Sequence, residues 1–238
     1  MKSSVHSSFF VRRRAVLVVG ALLLLALIAS AVMAAPAWQD DAPQAKLQRQ
    51  AQGALRVDVN PVTGVARFVV ADNGALTSEF AGAGSPEATA RAFLASYGGL
   101  FGLSDQAAQL SLTSVKADNL NQTHVRFAQQ QNGVPVFGAD LIVHLNAQGA
   151  VLAVNGYTLP DAVTVSTTAT AKPSRVDVAA LSQVAAADAF IAERSLVILN
   201  PGLITDQASA SSLTYRMRVD SVTQPHLAMW VFVDAQSA

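Results

Sequence analysis

Residues 121–157, NQTHVRFAQQQNGVPVFGADLIVHLNAQGAVLAVNGY, leave this chain few folds to choose from. From His124 to Gln130 the side chains alternate, Val125 and Phe127 on one face and Arg126 on the other, the period of a half-buried strand. Asn132-Gly133 comes next, the dipeptide best suited to the positive φ angles of a two-residue hairpin turn. Residues 134–145 resume the extended pattern, with Leu141, Val143 and Leu145 on one face and Ile142 and His144 on the other. A second turn at 146–149 and a third strand at 150–157, with Asn155-Gly156 near its end, predict an antiparallel meander.

The segments around it extend the pattern. Residues 38–52 are polar and rich in Gln, Ala and Asp, which predicts a mobile lead or a poorly anchored helix. Residues 56–59 and 65–71 flank Asn60-Pro61-Val62-Thr63-Gly64 and read as a hairpin. The clearest helix begins at Ser85. Ser85 caps it, Pro86 suits the first helical position, Glu87 suits the positive end of the dipole, and Gly98-Gly99 stop it. Ala90, Phe93, Leu94 and Tyr97 form its buried face. Leu100, Phe101 and Leu103 continue that packing, and Leu110, Leu112 and Val115 mark one face of a strand leading into the meander.

Residues 160–173, bounded by Pro160 and Pro173, read as a linker. Beyond them Ser174 and Asp177 form a capping-box-like start, and the Ala-rich run to Glu193 is expected to be helical. A short strand at 197–199, the Asn200-Pro201-Gly202 turn and two alternating strands at 213–219 and 227–233 complete this second unit. The pattern as a whole predicts an α+β fold of two small units, each a helix packed on an antiparallel sheet.

A family resemblance rests on these residues. A His-x-Arg-Phe strand (His124, Arg126, Phe127) has a Gln-rich end and is followed by a Gly-x-Pro-Val-Phe-Gly turn (Gly133, Pro135, Val136, Phe137, Gly138). An apolar strand, a Gly turn and a Val-Asn-Gly ending (Val154, Asn155, Gly156) come after it. This order resembles the propeptide domain shared by fungalysin-type and thermolysin-type metallopeptidases, most strongly over residues 85–157. The helix and the YRMRVDS and WVFVDA strands beyond Pro173 resemble a PepSY-like unit, which accompanies many such proregions. The resemblance implies a propeptide-like domain at 38–159, a linker at 160–173 and a PepSY-like unit at 174–238 that ends before its usual exit strand. It also implies a role without chemistry: assisting the folding of a zinc metallopeptidase domain, in cis or in trans, and holding it inactive until proteolysis. The alternative is a freestanding protease inhibitor or binding module, outside the cell or in the periplasm.

Composition bears on where such a chain works. Residues 1–37 carry a basic start (Lys2, Arg12, Arg13, Arg14), an apolar run and small residues at Ala34, Ala35 and Ala37. That is the make-up of a secretory signal peptide, implying a secreted or cell-envelope protein, with an uncleaved signal anchor as the alternative. Removing residues 1–34 takes four of the 16 basic residues and none of the 16 acidic ones, leaving a net charge of −4. A mildly acidic surface is poorly suited to nucleic acid and offers no polybasic patch for anionic lipid. There is no cysteine, which excludes disulfides, thiolate metal sites and a thiol nucleophile.

No reaction chemistry is legible. A thermolysin-like zinc site needs two histidines one helical turn apart with a Glu beside the first, and none of His6, His124, His144 and His226 lies four residues from another. Gly82-Ala83-Gly84 before Ser85 lacks the third glycine and the lysine of a phosphate loop. The expectation is therefore a non-enzyme with no cofactor and no metal. Val134, Val136 and Phe137 beside the hairpin turn, with Trp230 and Phe232 near the end, are the candidates for contacting a partner. Completion of the two cores is the competing role for them. Arg126, Arg216 and Arg218 read as a solvated face.

Overall fold

The structure, a computed structural model, describes residues 41–161 and 163–237. The expected signal segment lies outside the described residues. The meander forms as expected: β4 (Thr123–Gln131), β5 (Val134–Leu145) and β6 (Val151–Tyr157) pair antiparallel. Asn132 and Gly133 both take positive φ, 49° and 80°, in the connecting turn. β3 (Leu110–Ala117) lines the outside of β4. β2 (Ala66–Ala71) pairs with β6, and β1 (Leu55–Val59) pairs with β2 as the expected hairpin. The first sheet therefore runs β3-β4-β5-β6-β2-β1, antiparallel throughout. Gly156 is demanded by its neighbours: its φ is +149°, and a Cβ there would strike the carbonyl oxygen of Asp140 on β5.

Helices cover the inner face of this sheet. α2 (Pro86–Tyr97) starts where expected, with Ser85 Oγ accepting from the Ala88 amide at 3.1 Å and Pro86 in the first turn. Phe93, Leu94 and Tyr97 are fully buried against Val125, Phe127, Leu141 and Val143. Gly98 and Gly99 do not end helical structure; they enter a 3₁₀ turn, Gly98–Phe101, that buries Leu100 and Phe101. α1 (Asp41–Gln50) corrects the expectation of a loose lead. Leu47 is fully buried in the same core and Gln50 Oε1 accepts from Tyr97 Oη at 2.8 Å. α3 (Gln106–Gln109) is a single turn before β3. Leu110, Leu112 and Val115 stand opposite Gln129, Phe127 and Val125 on one face, as expected, the bulge between Leu112 and Ser114 keeping them in phase; on this edge strand only Leu110 is buried, while Leu112 and Val115 are exposed.

The second part departs further from expectation. α4 (Pro173–Leu181) stops well short of Glu193, and its N-cap, Lys172, makes no side-chain capping bond. The expected capping box does not form, and Asp177 pairs with Arg194 instead. After turns at 182–188 the end of the run enters β7 (Ala189–Leu199), which pairs along its length with β8 (Ser212–Ser221). Helix propensity separates residues by only about 0.7 kcal/mol each, so a continuous ladder of strand pairs overrides it. After β7, Gly202–Thr205 forms a helical turn, α5. β9 (Ala228–Asp234) completes the sheet beside β8. α4 packs its Val176 and Ala180 on Met217, Val219, Val231 and Val233. The fold is thus α+β, with helices packed on sheets.

The two sheets meet at β5. A single parallel pair, Val136 with Ile198, carries hydrogen bonding from β5 to β7. Beneath it Val136, Ala139, Ile198, Leu203 and Leu213 make a core of their own. Of the expected linker, the described residues 160, 161 and 163–172 form no helix or strand and Pro173 begins α4, yet Val163, Val165 and Ala169 pack on that core and the amides of Thr170 and Ala171 donate to Ala235 O.

Candidate docking site

Strand register decides which expected contact residues reach the surface. On β8, Met217 and Val219 turn toward α4, so Arg216 and Arg218 turn to the opposite face. There Arg216 faces Phe232 on β9 and Ser195 on β7, while Arg218 faces Trp230 and Glu193. Phe137 comes in from β5 and meets Phe232 edge to face, centroids 5.1 Å apart. The Arg216 guanidinium lies 4.5 Å from the Trp230 ring centroid and 5.9 Å from that of Phe137, within reach of a cation–π attraction to both. Trp230 is 46% exposed.

Of the five residues expected to contact a partner, Phe137, Trp230 and Phe232 therefore share one outward cluster. Val136 is only 4% exposed and belongs to the core under the β5–β7 seam, while Val134 is half-buried against the same core. Beside the cluster lies a groove of about 330 Å³ lined by residues 135–140 of β5, residues 195–197 of β7, Ala128 and Arg216.

Arg216 is the member that sequence reading missed. Its neighbours on the outward faces are neutralised: Arg126 pairs with Asp140, and Arg218 with Glu193 at 2.8 Å and Asp220 at 2.6 Å, while Arg194, on the α4 face of β7, pairs with Asp177. The Arg218 guanidinium in turn holds the Asp220 carboxyl below its usual range. Arg216 has no carboxylate partner among the described residues, and its Nε is buried without an acceptor. Alternation in YRMRVDS and MWVFVD puts Arg216 on one face of its strand and Phe232 with Trp230 on one face of theirs, but only the observed register sets Arg216 level with Phe232.

The outward face of the first sheet carries a polar chain. Nε2 of His124 meets Asp118 Oδ2 at 3.1 Å, the Nδ1 atoms of His124 and His144 face each other at 2.7 Å, and His144 Nε2 meets Asn155 Oδ1. With both Nε2–H groups donating, the Nδ1···Nδ1 bond takes one further proton; a second would set two N–H groups against each other. Burial pushes the His144 pKa down, and the charge of His124 adds to this against the Asn155 hydrogen bond. Amides of Gln122 and Leu120, with His124, hold the Asp118 carboxyl below its usual range.

The Gln-rich strand end also acquires a role. Gln129, 3% exposed, donates from Nε2 to Leu159 O at 2.6 Å and accepts from the Leu159 amide at 2.7 Å. Gln131 repeats this with Val163 O and the Val165 amide, and Gln130 donates to Ala108 O. Gln129 and Gln131 thereby tie Leu159, Val163 and Val165 to β4.

Among the described residues no helix is long and apolar enough to cross a membrane. No group of three or more His, Cys, Asp or Glu is placed there to hold a metal ion.

Residues 108–157 match the family model of the Fungalysin/Thermolysin Propeptide Motif. The match spans β3 to β6, the Gln129 clamp and the His124–His144 pair, the later part of the segment in which the resemblance was expected. A propeptide motif is a non-catalytic element. A search of curated proteins finds no match to the chain.

Proposed function

We propose that this chain is an exported proregion that assists the folding of a thermolysin-like zinc metallopeptidase domain and inhibits it, in cis or in trans. The observation that carries this reading is the propeptide motif over residues 108–157. Residues 174–238 act with it as a PepSY-like unit, and the segment 1–37 directs export. The mode of action is association: a partner that binds the compact peptidase better than its unfolded chain shifts the folding equilibrium by mass action. The half-exposed cluster of Phe137, Phe232 and Trp230 supplies aromatic anchors of the kind that dominate protein interfaces.

The test is to refold a thermolysin-like catalytic domain with and without the full chain and to assay peptide hydrolysis. Accelerated refolding with saturable inhibition is expected. Inhibition without any effect on refolding would favour a freestanding protease inhibitor, and neither effect would overturn both readings.

A further inference from the structure

We infer that the cluster around Arg216 is a binding site for a single carboxylate side chain presented by the surface of a partner protein, with Arg216 as the recognising cation. Three observations lead there. The first is that Arg216 lacks a carboxylate partner among the described residues while Arg126, Arg194 and Arg218 each have one. A half-buried guanidinium whose Nε–H is out of water and without an acceptor is incompletely satisfied, and a buried donor left without its hydrogen bond is unfavourable. The second is that the side chain is held in place. Trp230 at 4.5 Å and Phe137 at 5.9 Å fix the guanidinium, so little conformational entropy remains to be lost when a planar, two-oxygen acceptor docks on its fork. The third is the rim: Phe137, Phe232, Trp230 and Leu196 give the aliphatic stem of a Glu or Asp, and an apolar neighbour, a surface to cover.

The same surroundings select the charge of the ligand. Asp140 lines the groove, and Glu193 stands two residues from Ser195 on the same strand face. Asp140 and Glu193 are already paired with Arg126 and Arg218, so Arg216 offers the one charge of the cluster left without a carboxylate among the described residues, which matches a carboxylate monoanion better than a phosphate dianion. The occupant is therefore an acidic residue flanked by apolar side chains. On the proregion reading that residue lies on the peptidase domain, but the site stands on its own geometry.

The experiment uses the full chain carrying Trp38→Phe, which leaves Trp230 as the sole tryptophan. Its fluorescence is titrated with the blocked peptide acetyl-Leu-Glu-Leu-amide, with its Gln counterpart, and with inorganic phosphate. A single ion pair with apolar flanks corresponds to Kd on the order of 1 mM, so titration runs to about 10 mM. The Glu peptide is expected to give a saturable change that the Gln peptide and phosphate do not. Arg216→Gln abolishes it, and Arg216→Lys, which keeps the charge but not the fork, weakens it about tenfold. Equal responses to Glu and Gln peptides, a stronger response to phosphate, or no response to the Glu peptide from a chain with unchanged circular dichroism would each overturn the inference. Binding of the Glu peptide by a chain that neither inhibits nor refolds a peptidase domain would count against the proregion reading and leave this site standing. Peptidase inhibition undiminished by Arg216→Gln would remove this site and leave the proregion reading intact.

Discussion

His144 is where pH acts most directly on this molecule. Its pKa lies below the ordinary histidine value of about 6.5 because burial disfavours its charged form. The unfolded chain therefore binds more protons than the folded one as pH falls past that value, so the stabilising contribution is fully present above it and is lost on acidification. The groups facing the pair are Asp118 from the loop after β3, Lys116 opposite His124 on β3, and Asn155 on β6. The carboxyls held low, Asp118 among them, lose their contribution only in a more acidic window. The melting temperature should thus drop between pH 7 and pH 5, and His144→Gln should flatten that slope; a variant with the parent's slope would refute the assignment. Gln129 is a second such residue. Gln129→Leu strips the Leu159 amide and carbonyl of buried partners, and urea unfolding should register a loss of about 2 to 4 kcal/mol. Sequence reading took the Gln run as a family mark. Its clamping role was not legible because the partner, Leu159, lies 30 residues away.

At the scale of elements, local chemistry and tertiary pairing divide the chain between them. α2 is set by its own residues: cap, Pro86 and an apolar stripe all agree. Ser85→Ala should accordingly cost about 1 kcal/mol, read as a lowered urea midpoint with unchanged slope. α1 and β7 are the opposite case. α1 has a single fully buried apolar anchor, Leu47, too sparse a pattern to stand out in a polar stretch. The N-terminal half of β7 is Ala-rich and helix-prone, and only its pairing with residues 218–221 of β8 makes it a strand. The half-exposed aromatic cluster was partly legible for the same reason: alternation identified Trp230 and Phe232, but not that Arg216 completes the site between them.

Across the whole molecule, the seam between the sheets is the point of coupling. Ile198 is fully buried there, in the core shared by β5, β7 and β8. Ile198→Ala should cost about 2 to 5 kcal/mol, and Trp230 fluorescence and far-ultraviolet circular dichroism should still change together on unfolding. Two separated transitions would mean that the sheets fold independently. The sequence by itself determined the meander, the hairpin before it and α2, because turn chemistry, strand alternation and helix capping act over a few residues. The placement of Phe137 against Phe232, the burial of Val136 and the lack of a carboxylate partner for Arg216 among the described residues were decided only by the tertiary structure. Those outcomes depend on how β5 leaves one sheet for the other, and no local periodicity encodes a contact between residues 79 positions apart, as Phe137 and Arg216 are, or 95, as Phe137 and Phe232 are.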